Sequence, residues 1–173
     1  MIFFKLFYHL NAIIWMMIIK TFYYFGGGKI TFGKHVTFRK GFSVMIAKHG
    51  MVSIGDNVFF NNYCSLNAND NITIGDGTLF GENVKIYDHN HCYQNTEIPI
   101  KKQGFTSSPV SIGKHCWIGS NVVILKGVTV GDYCVIGAGC VIYKDIQPNS
   151  IVYNKQNLIA KVIEQRTGRQ FNL

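Results

Sequence analysis

The chain keeps a six-residue beat. In SIGKHCWIGSNVVILKGVTVGDYCVIGAGCVIY the aliphatic residues Ile112, Ile118, Ile124, Val130, Ile136 and Ile142 each fall six positions after the last. Two residues before each stands a smaller apolar or thiol residue: Val110, Cys116, Val122, Val128, Cys134 and Cys140. Upstream the pairing recurs as Val52/Ile54, Val58/Phe60 and Cys64/Leu66, then as Ile72/Ile74, Thr78/Phe80 and Val84/Ile86. Six residues with two inward side chains describe a short strand and a turn. A glycine often follows the anchor residue, as at Gly75, Gly113 and Gly131. It lets the chain bend where a Cβ would crowd. Three such units close a triangular coil of about 18 residues, and each coil buries its anchors on the next. Cysteines on the small inward position read as buried small hydrophobes.

Composition fits such a solenoid. The 173 residues are 47% apolar and 15% charged, with 18 glycines and 3 prolines, which suits turn-rich β structure better than a helix bundle. The net charge of +8 suits a nucleic acid, an anionic lipid or a phosphorylated ligand. The chain has no block of five or six basic residues, no RNA-binding aromatic motif and no helix-turn-helix pattern, so nucleic acid is not an expected partner. The 5 cysteines form no C-x-x-C pair, which disfavours a zinc ribbon or a disulfide framework and points to a reducing, cytoplasmic setting.

Residues 1–25 stand apart. The segment LFYHLNAIIWMMII is strongly apolar but shorter than a membrane span needs, and the bulky TFYYF after it is no signal-peptide cleavage site. As a helix, it would line Lys5, His9, Ala12, Met16 and Lys20 on one narrow stripe, with an apolar and aromatic remainder. Such a helix packs broadly on its own oligomer or lies in a membrane interface, on the inner face of the cell membrane. The expected organisation is an apolar helical segment (1–25), a β-helix (26–153) and a C-terminal helix or tail (154–173).

The beat stops at IYDHNH, residues 86–91, and resumes only at Ile112. From Asp88 to Pro109 a polar segment leaves the coil. A loop this long in a compact solenoid is usually functional or disordered. It opens on Asp88, His89 and His91, and a histidine is a base at neutral pH without any tuning.

The repeat, the break and the run PVSIGKHCWIGSNVVILKGVTVGDYCVIGAGCVIYKDI together resemble the hexapeptide-repeat acyltransferases. Within them they resemble the galactoside, maltose and xenobiotic acetyltransferase branch and the polysaccharide O-acetyltransferases. That resemblance implies an all-β fold, a left-handed parallel β-helix, with an apolar N-terminal helix, an excursion loop at about 88–109 and a short C-terminal helix. It implies transfer of an acetyl group from acetyl-CoA, with no metal, to a hydroxyl of a cell-surface glycan or its precursor. It places His89 as general base and Asn61, Tyr87, Asp88, His91 and Trp117 around the acceptor, with Asp88 orienting either His89 or an acceptor hydroxyl. It lays coenzyme A along Trp117, Gly119, Ser120, Gly137, Ala138, Tyr143, Lys144 and Lys161, with the Gly119-Ser120 backbone as oxyanion donor. It implies a homotrimer with each site between two subunits. The usual G-x-P-A-K closing turn is missing from VYNKQNLIAKVIEQRTG, which leaves the adenine end of the cofactor open.

Other readings remain at this point. The alternative acceptor is a soluble galactoside, amino sugar, serine or antibiotic. A carbonic anhydrase on this fold would space its histidine pair as H-x4-H, whereas His89 and His91 are two apart. A solenoid without catalysis is the third.

Overall fold

The computed structural model describes residues 2–155. One helix, α1 (Ile2–Gly26), leads into a three-sided parallel solenoid with the left-handed turn of the β-helix family. Its three faces are sheets of 5, 6 and 5 strands. The first face stacks Lys29–Phe32, Met51–Ile54, Asn71–Ile74, Val110–Ile112 and Thr129–Val130. The second stacks Thr37–Phe38, Phe59–Phe60, Leu79–Phe80, Trp117–Ile118, Val135–Ile136 and Ile151–Val152. The third stacks Ser43–Ile46, Ser65–Ala68, Lys85–Tyr87, Val123–Ile124 and Val141–Ile142.

Register confirms the beat as the cause of the stacking. Ile72 pairs with Val52 on one side and Val110 on the other, and Ile118 with Phe80 and Ile136. The anchors fill one continuous core, with Val52, Phe60, Ile86, Ile118 and Ile124 all fully buried. The early coils are plugged by rings. Phe42 stacks on Phe38 and tilts on Phe60 at 4.7 Å each, and Phe60 stacks on Phe80 at 4.6 Å. Later coils replace these phenylalanines with Ile118 and Ile136.

The inward cysteines are buried, and several also donate. Cys64 Sγ reaches Gly81 O at 3.1 Å, Cys116 Sγ reaches Gly131 O at 3.2 Å and Cys134 Sγ reaches Gln147 O at 3.1 Å. Thr78 plays the same part through Oγ1 to Gly113 O at 2.9 Å. Burial pushes the Cys64 and Cys116 thiols above their ordinary value, so they stay protonated donors rather than nucleophiles.

The glycine after the anchor answers to crowding between coils. A Cβ on Gly75 would lie 2.7 Å from Gly113 C and Lys114 N in the next coil. The left-handed backbone falls two residues later and is filled by polar or aromatic residues, such as Asn57, Tyr63, His115 and Tyr133. His115, exposed at this turn, stacks on Tyr133 at 5.3 Å.

The structure refines two expectations. The helix contacts the solenoid through Ala12, Met16, Ile19 and Tyr23, so the stripe containing Ala12 and Met16 is its packed side. Tyr23 fixes it: its hydroxyl donates to Val44 O at 2.7 Å and accepts from Ile46 N–H at 3.3 Å. The apolar remainder does not pack broadly within the chain; Ile14, Trp15, Ile18 and Phe22 are at least half exposed. Second, the excursion is an ordered hairpin. His89–His91 pairs antiparallel with Phe105–Ser107, and a 3-10 turn, Ile100–Lys102, lies at its far end. The expected C-terminal helix and Lys161 lie outside the described residues.

Candidate active site

The hairpin leaves at the corner between the third and first faces. Asp88 begins it and is fully buried. Its Oδ1 accepts the Asn69 N–H at 2.8 Å, and its Oδ2 accepts the Asp70 N–H at 2.7 Å. These two donors belong to the same corner one coil below, so Asp88 ties the base of the excursion to the wall. The backbone closes the other side, with Ser108 N–H on Asp88 O at 2.8 Å and Gly127 N–H on Ser108 O at 3.1 Å.

His89 follows on this anchored residue. Its Nδ1 lies 3.0 Å from Asp88 Oδ1, and its side chain is 19% exposed. A carboxylate on Nδ1 holds the proton there and leaves Nε2 with a lone pair. Phe105 meets the imidazole edge-on at 5.2 Å and packs against the His91 ring at 4.4 Å. Tyr87, His89, Asn90, His91, Tyr93 and Leu125 line an open cleft of about 460 Å³. An oriented histidine with a free ring nitrogen in a cleft is the arrangement a general base needs.

The structure thus brings Tyr87, Asp88, His89 and His91 together. Asp88 has no surface to offer an acceptor; its geometry orients His89 instead. Phe105 and Leu125 were missed by the sequence reading. Phe105 reaches the site only through the antiparallel register His91↔Phe105, which the six-residue beat does not encode.

Trp117 and Asn61 lie elsewhere. Trp117 sits on the second face, 58% exposed. Asn61 follows Phe60 at the corner between the second and third faces, and its Oδ1 accepts from Arg39 Nη1 at 3.2 Å and from Asn62 N–H at 2.9 Å. Gly119, Ser120, Gly137 and Ala138 share that corner in adjacent coils, where a Cβ on Gly119 would meet Ala138 N at 2.7 Å. The Gly119 N–H already donates to Ile136 O at 2.7 Å, so of the expected pair of oxyanion donors only Ser120 remains a candidate. Tyr143 and Lys144 are exposed on the His89 side, above Leu125 and Lys126. Among the described residues, no three His, Cys, Asp or Glu side chains gather closely enough to hold a metal ion.

A family model described as the hexapeptide repeat of succinyl-transferase matches residues 109–144. The chain carries this repeat on a β-helix fold. It is 34% identical to the Escherichia coli (strain K12) protein WbbJ, described as a lipopolysaccharide biosynthesis O-acetyl transferase, over 58% of this chain and 55% of that protein. It is 36% identical to the galactoside O-acetyltransferase of the same organism, over 66% of this chain and 56% of the relative. The chain therefore spans about half the length of the curated relatives it matches. Among solved structures it resembles the Vibrio cholerae hexapeptide-repeat acetyltransferase VCA0836 in complex with acetyl coenzyme A. The TM-score is 0.62 at 28% identity, covering 75% of this chain and 67% of that one.

Proposed function

We propose that this hexapeptide-repeat protein is an acetyl-CoA-dependent O-acetyltransferase whose acceptor is a sugar hydroxyl of a glycan or glycan precursor. One observation carries the reading: His89, oriented through Nδ1 by a buried carboxylate, faces a cleft at the point where the coil is interrupted. Relatives named for galactoside O-acetylation and for O-acetyl transfer in lipopolysaccharide biosynthesis support the acceptor class, and the neighbour with acetyl coenzyme A supports the donor.

In this reading His89 Nε2 takes the hydroxyl proton as the acceptor oxygen attacks the thioester carbonyl. The tetrahedral intermediate collapses and expels the coenzyme A thiolate, which recovers its proton from the imidazolium. No enzyme nucleophile is required. The Ser120 N–H is the proposed donor to the oxyanion. His91 and Tyr87 flank the acceptor.

One chain supplies only part of such a site, because Trp117, Asn61 and Ser120 lie around a different corner from His89. We propose a homotrimer in which the His89 side of one subunit faces the Trp117 side of the next. The groove between them would take the pantetheine arm along Gly119, Ser120, Gly137 and Ala138. Tyr143 and Lys144 would meet it from the opposite wall, Lys144 beside a phosphate. With its side-chain oxygen engaged, Asn61 would offer its amide hydrogens to the acceptor.

The test is release of coenzyme A thiol from acetyl-CoA with a panel of glycans, amino sugars and small alcohols. Acceptor-dependent release that falls by roughly 10²–10⁴-fold in His89→Ala is expected. Equal release from both proteins would remove His89 as the base. Release with small alcohols but with no glycan would move the acceptor to a soluble small molecule.

A further inference from the structure

The end of the solenoid that carries α1 differs from the rest in two independent ways. The first is apolar exposure. Having used Ala12, Met16, Ile19 and Tyr23 to pack, the helix turns Ile14, Trp15, Ile18, Phe22 and Phe25 outward; Phe22 is 68% and Phe25 82% exposed. Single exposed apolar residues need no explanation, but a contiguous face of this kind marks an interaction surface.

The second is charge. Residues 1–55 carry Lys5, Lys20, Lys29, Lys34, Arg39, Lys40 and Lys48 and not one aspartate or glutamate. All 9 acidic residues follow, beginning at Asp56. The described cations of this stretch are exposed, from Lys20 on the helix to Lys48 in the first coil. Between helix and coil lies a cleft of about 440 Å³, with Trp15, Ile19, Phe38 and Phe42 as apolar lining and Arg39 and Lys40 at its wall.

We propose that this end docks on an anionic phospholipid bilayer, with the outer face of α1 in the acyl-headgroup boundary and the cations of the first coil against lipid phosphates. Apolar area and basic charge at one end of the molecule are the two attractions that hold an interfacial helix. A second copy of the same end is the weaker occupant, because residues 1–55 would set cations against cations and bring no carboxylate of their own. The helix lies on the bilayer rather than through it: no helix among the described residues is long and apolar enough to cross a membrane. The inference stands whether or not the chain transfers acetyl groups.

The experiment is co-sedimentation of the full chain with vesicles of phosphatidylcholine alone or mixed with phosphatidylglycerol, at low and high salt. Binding is expected to need phosphatidylglycerol and to weaken with salt. Ile14→Ser/Ile18→Ser/Phe22→Ser should abolish it while the thermal melt and light-scattering mass stay as in the parent. Lys20→Gln/Lys48→Gln, which leaves the apolar face intact, should weaken it about fivefold for each cation removed. Parental partitioning by the serine variant would overturn the proposal. So would binding indifferent to phosphatidylglycerol, or a serine variant that loses its oligomeric mass, which would assign the face to a second copy.

Discussion

Two corners of the same triangle have been treated differently. Between the first and second faces every coil turns alike, and a carboxylate ladder runs up the turn. Asp56 Oδ1 accepts the Lys34 N–H at 2.7 Å, Asp76 Oδ1 accepts the Asp56 N–H at 2.9 Å and Asp132 Oδ1 accepts the Lys114 N–H at 2.7 Å. Between the third and first faces the coils disagree. Strands there are bridged by Ala47–Gly50 in the first coil, Asn69–Asp70 in the second, the 88–109 hairpin in the third and Leu125–Val128 in the fourth. The first corner has each turn pressed on the next, so an extra residue has no place to go. At the third, extra residues leave the wall, and the turn beneath is sealed by Asp88 instead of by a neighbouring copy of itself. The fold thus concentrates its irregularity at one edge, where chemistry can be attached without disturbing the stack.

The sharpest way to break that contrast is Asp88→Asn. At the regular corner a carboxylate satisfies turn amides and, at Asp76, an exposed ammonium; at the irregular one Asp88 satisfies turn amides and also holds His89. An asparagine there must turn an N–H toward one of the donors that Asp88 now accepts. Stability should fall by about 1–3 kcal/mol, the cost of disturbing a buried charged hydrogen bond. kcat should fall by about 10²-fold or more with KM little changed, because the histidine loses its orientation rather than its substrate. Urea midpoints and steady-state kinetics check it. A destabilised protein with an unaltered kcat would reduce Asp88 to a turn cap, and the two corners would then differ only in length.

A second comparison uses glycines. Gly75→Ala puts a Cβ 2.7 Å from backbone atoms of the next coil, where nothing flexible can give. Overpacking of this kind should cost about 1–3 kcal/mol. Gly104 in the hairpin has φ +80 with nothing within 4 Å. Gly104→Ala meets only left-handed strain, about 1 kcal/mol, and a hairpin end can relax it. Paired urea titrations should rank Gly75→Ala below Gly104→Ala. The reverse order would mean that the hairpin, not the coil contact, is the rigid part.

This contrast also sets what could be read from the sequence. Positions such as Ile112, Ile118 and Cys134 were legible because the core repeats them, and each is buried as the beat requires. His89 was legible by its place at the break. For Asp88 the sequence left two roles open, orienting His89 or an acceptor hydroxyl; its anchoring was not legible, because its partners there are backbone amides of Asn69 and Asp70, which leave no side-chain signature. Phe105 was invisible for a related reason: an antiparallel hairpin inside a parallel solenoid follows neither period. The residues at left-handed φ, Tyr63 and Tyr133 among them, carry no glycine to announce the turn. On α1 the helical period is present but misleads. The chain packs Ala12, Met16, Ile19 and Tyr23 inward and leaves Ile14, Trp15, Ile18 and Phe22 outside, so hydrophobicity alone selects the wrong face.

The smallest effect belongs to the regular corner. The Asp56 N–H first, and the Lys114 ammonium after it, hold the Asp76 carboxyl below its ordinary value of 3.8. The Lys114 Nζ lies 3.2 Å from Asp76 Oδ2, with both side chains about half exposed. A lowered folded-state value means the carboxylate form is favoured by folding. Its stabilisation is complete above the unfolded value and is lost as the pH falls through the folded one. Asp76→Asn should therefore lower the urea midpoint slightly near neutral pH and converge on the parent in acid. Asparagine Oδ1 can still accept the Asp56 N–H, and solvent screens what the ammonium adds, so the difference at neutral pH is small. Lys114→Ala should reproduce the charged part of it alone. A variant as destabilised at low pH as at neutral would show that the ladder at this corner acts through turn geometry and not through charge. The two corners would then use their carboxylates in the same way, with His89 the difference between them.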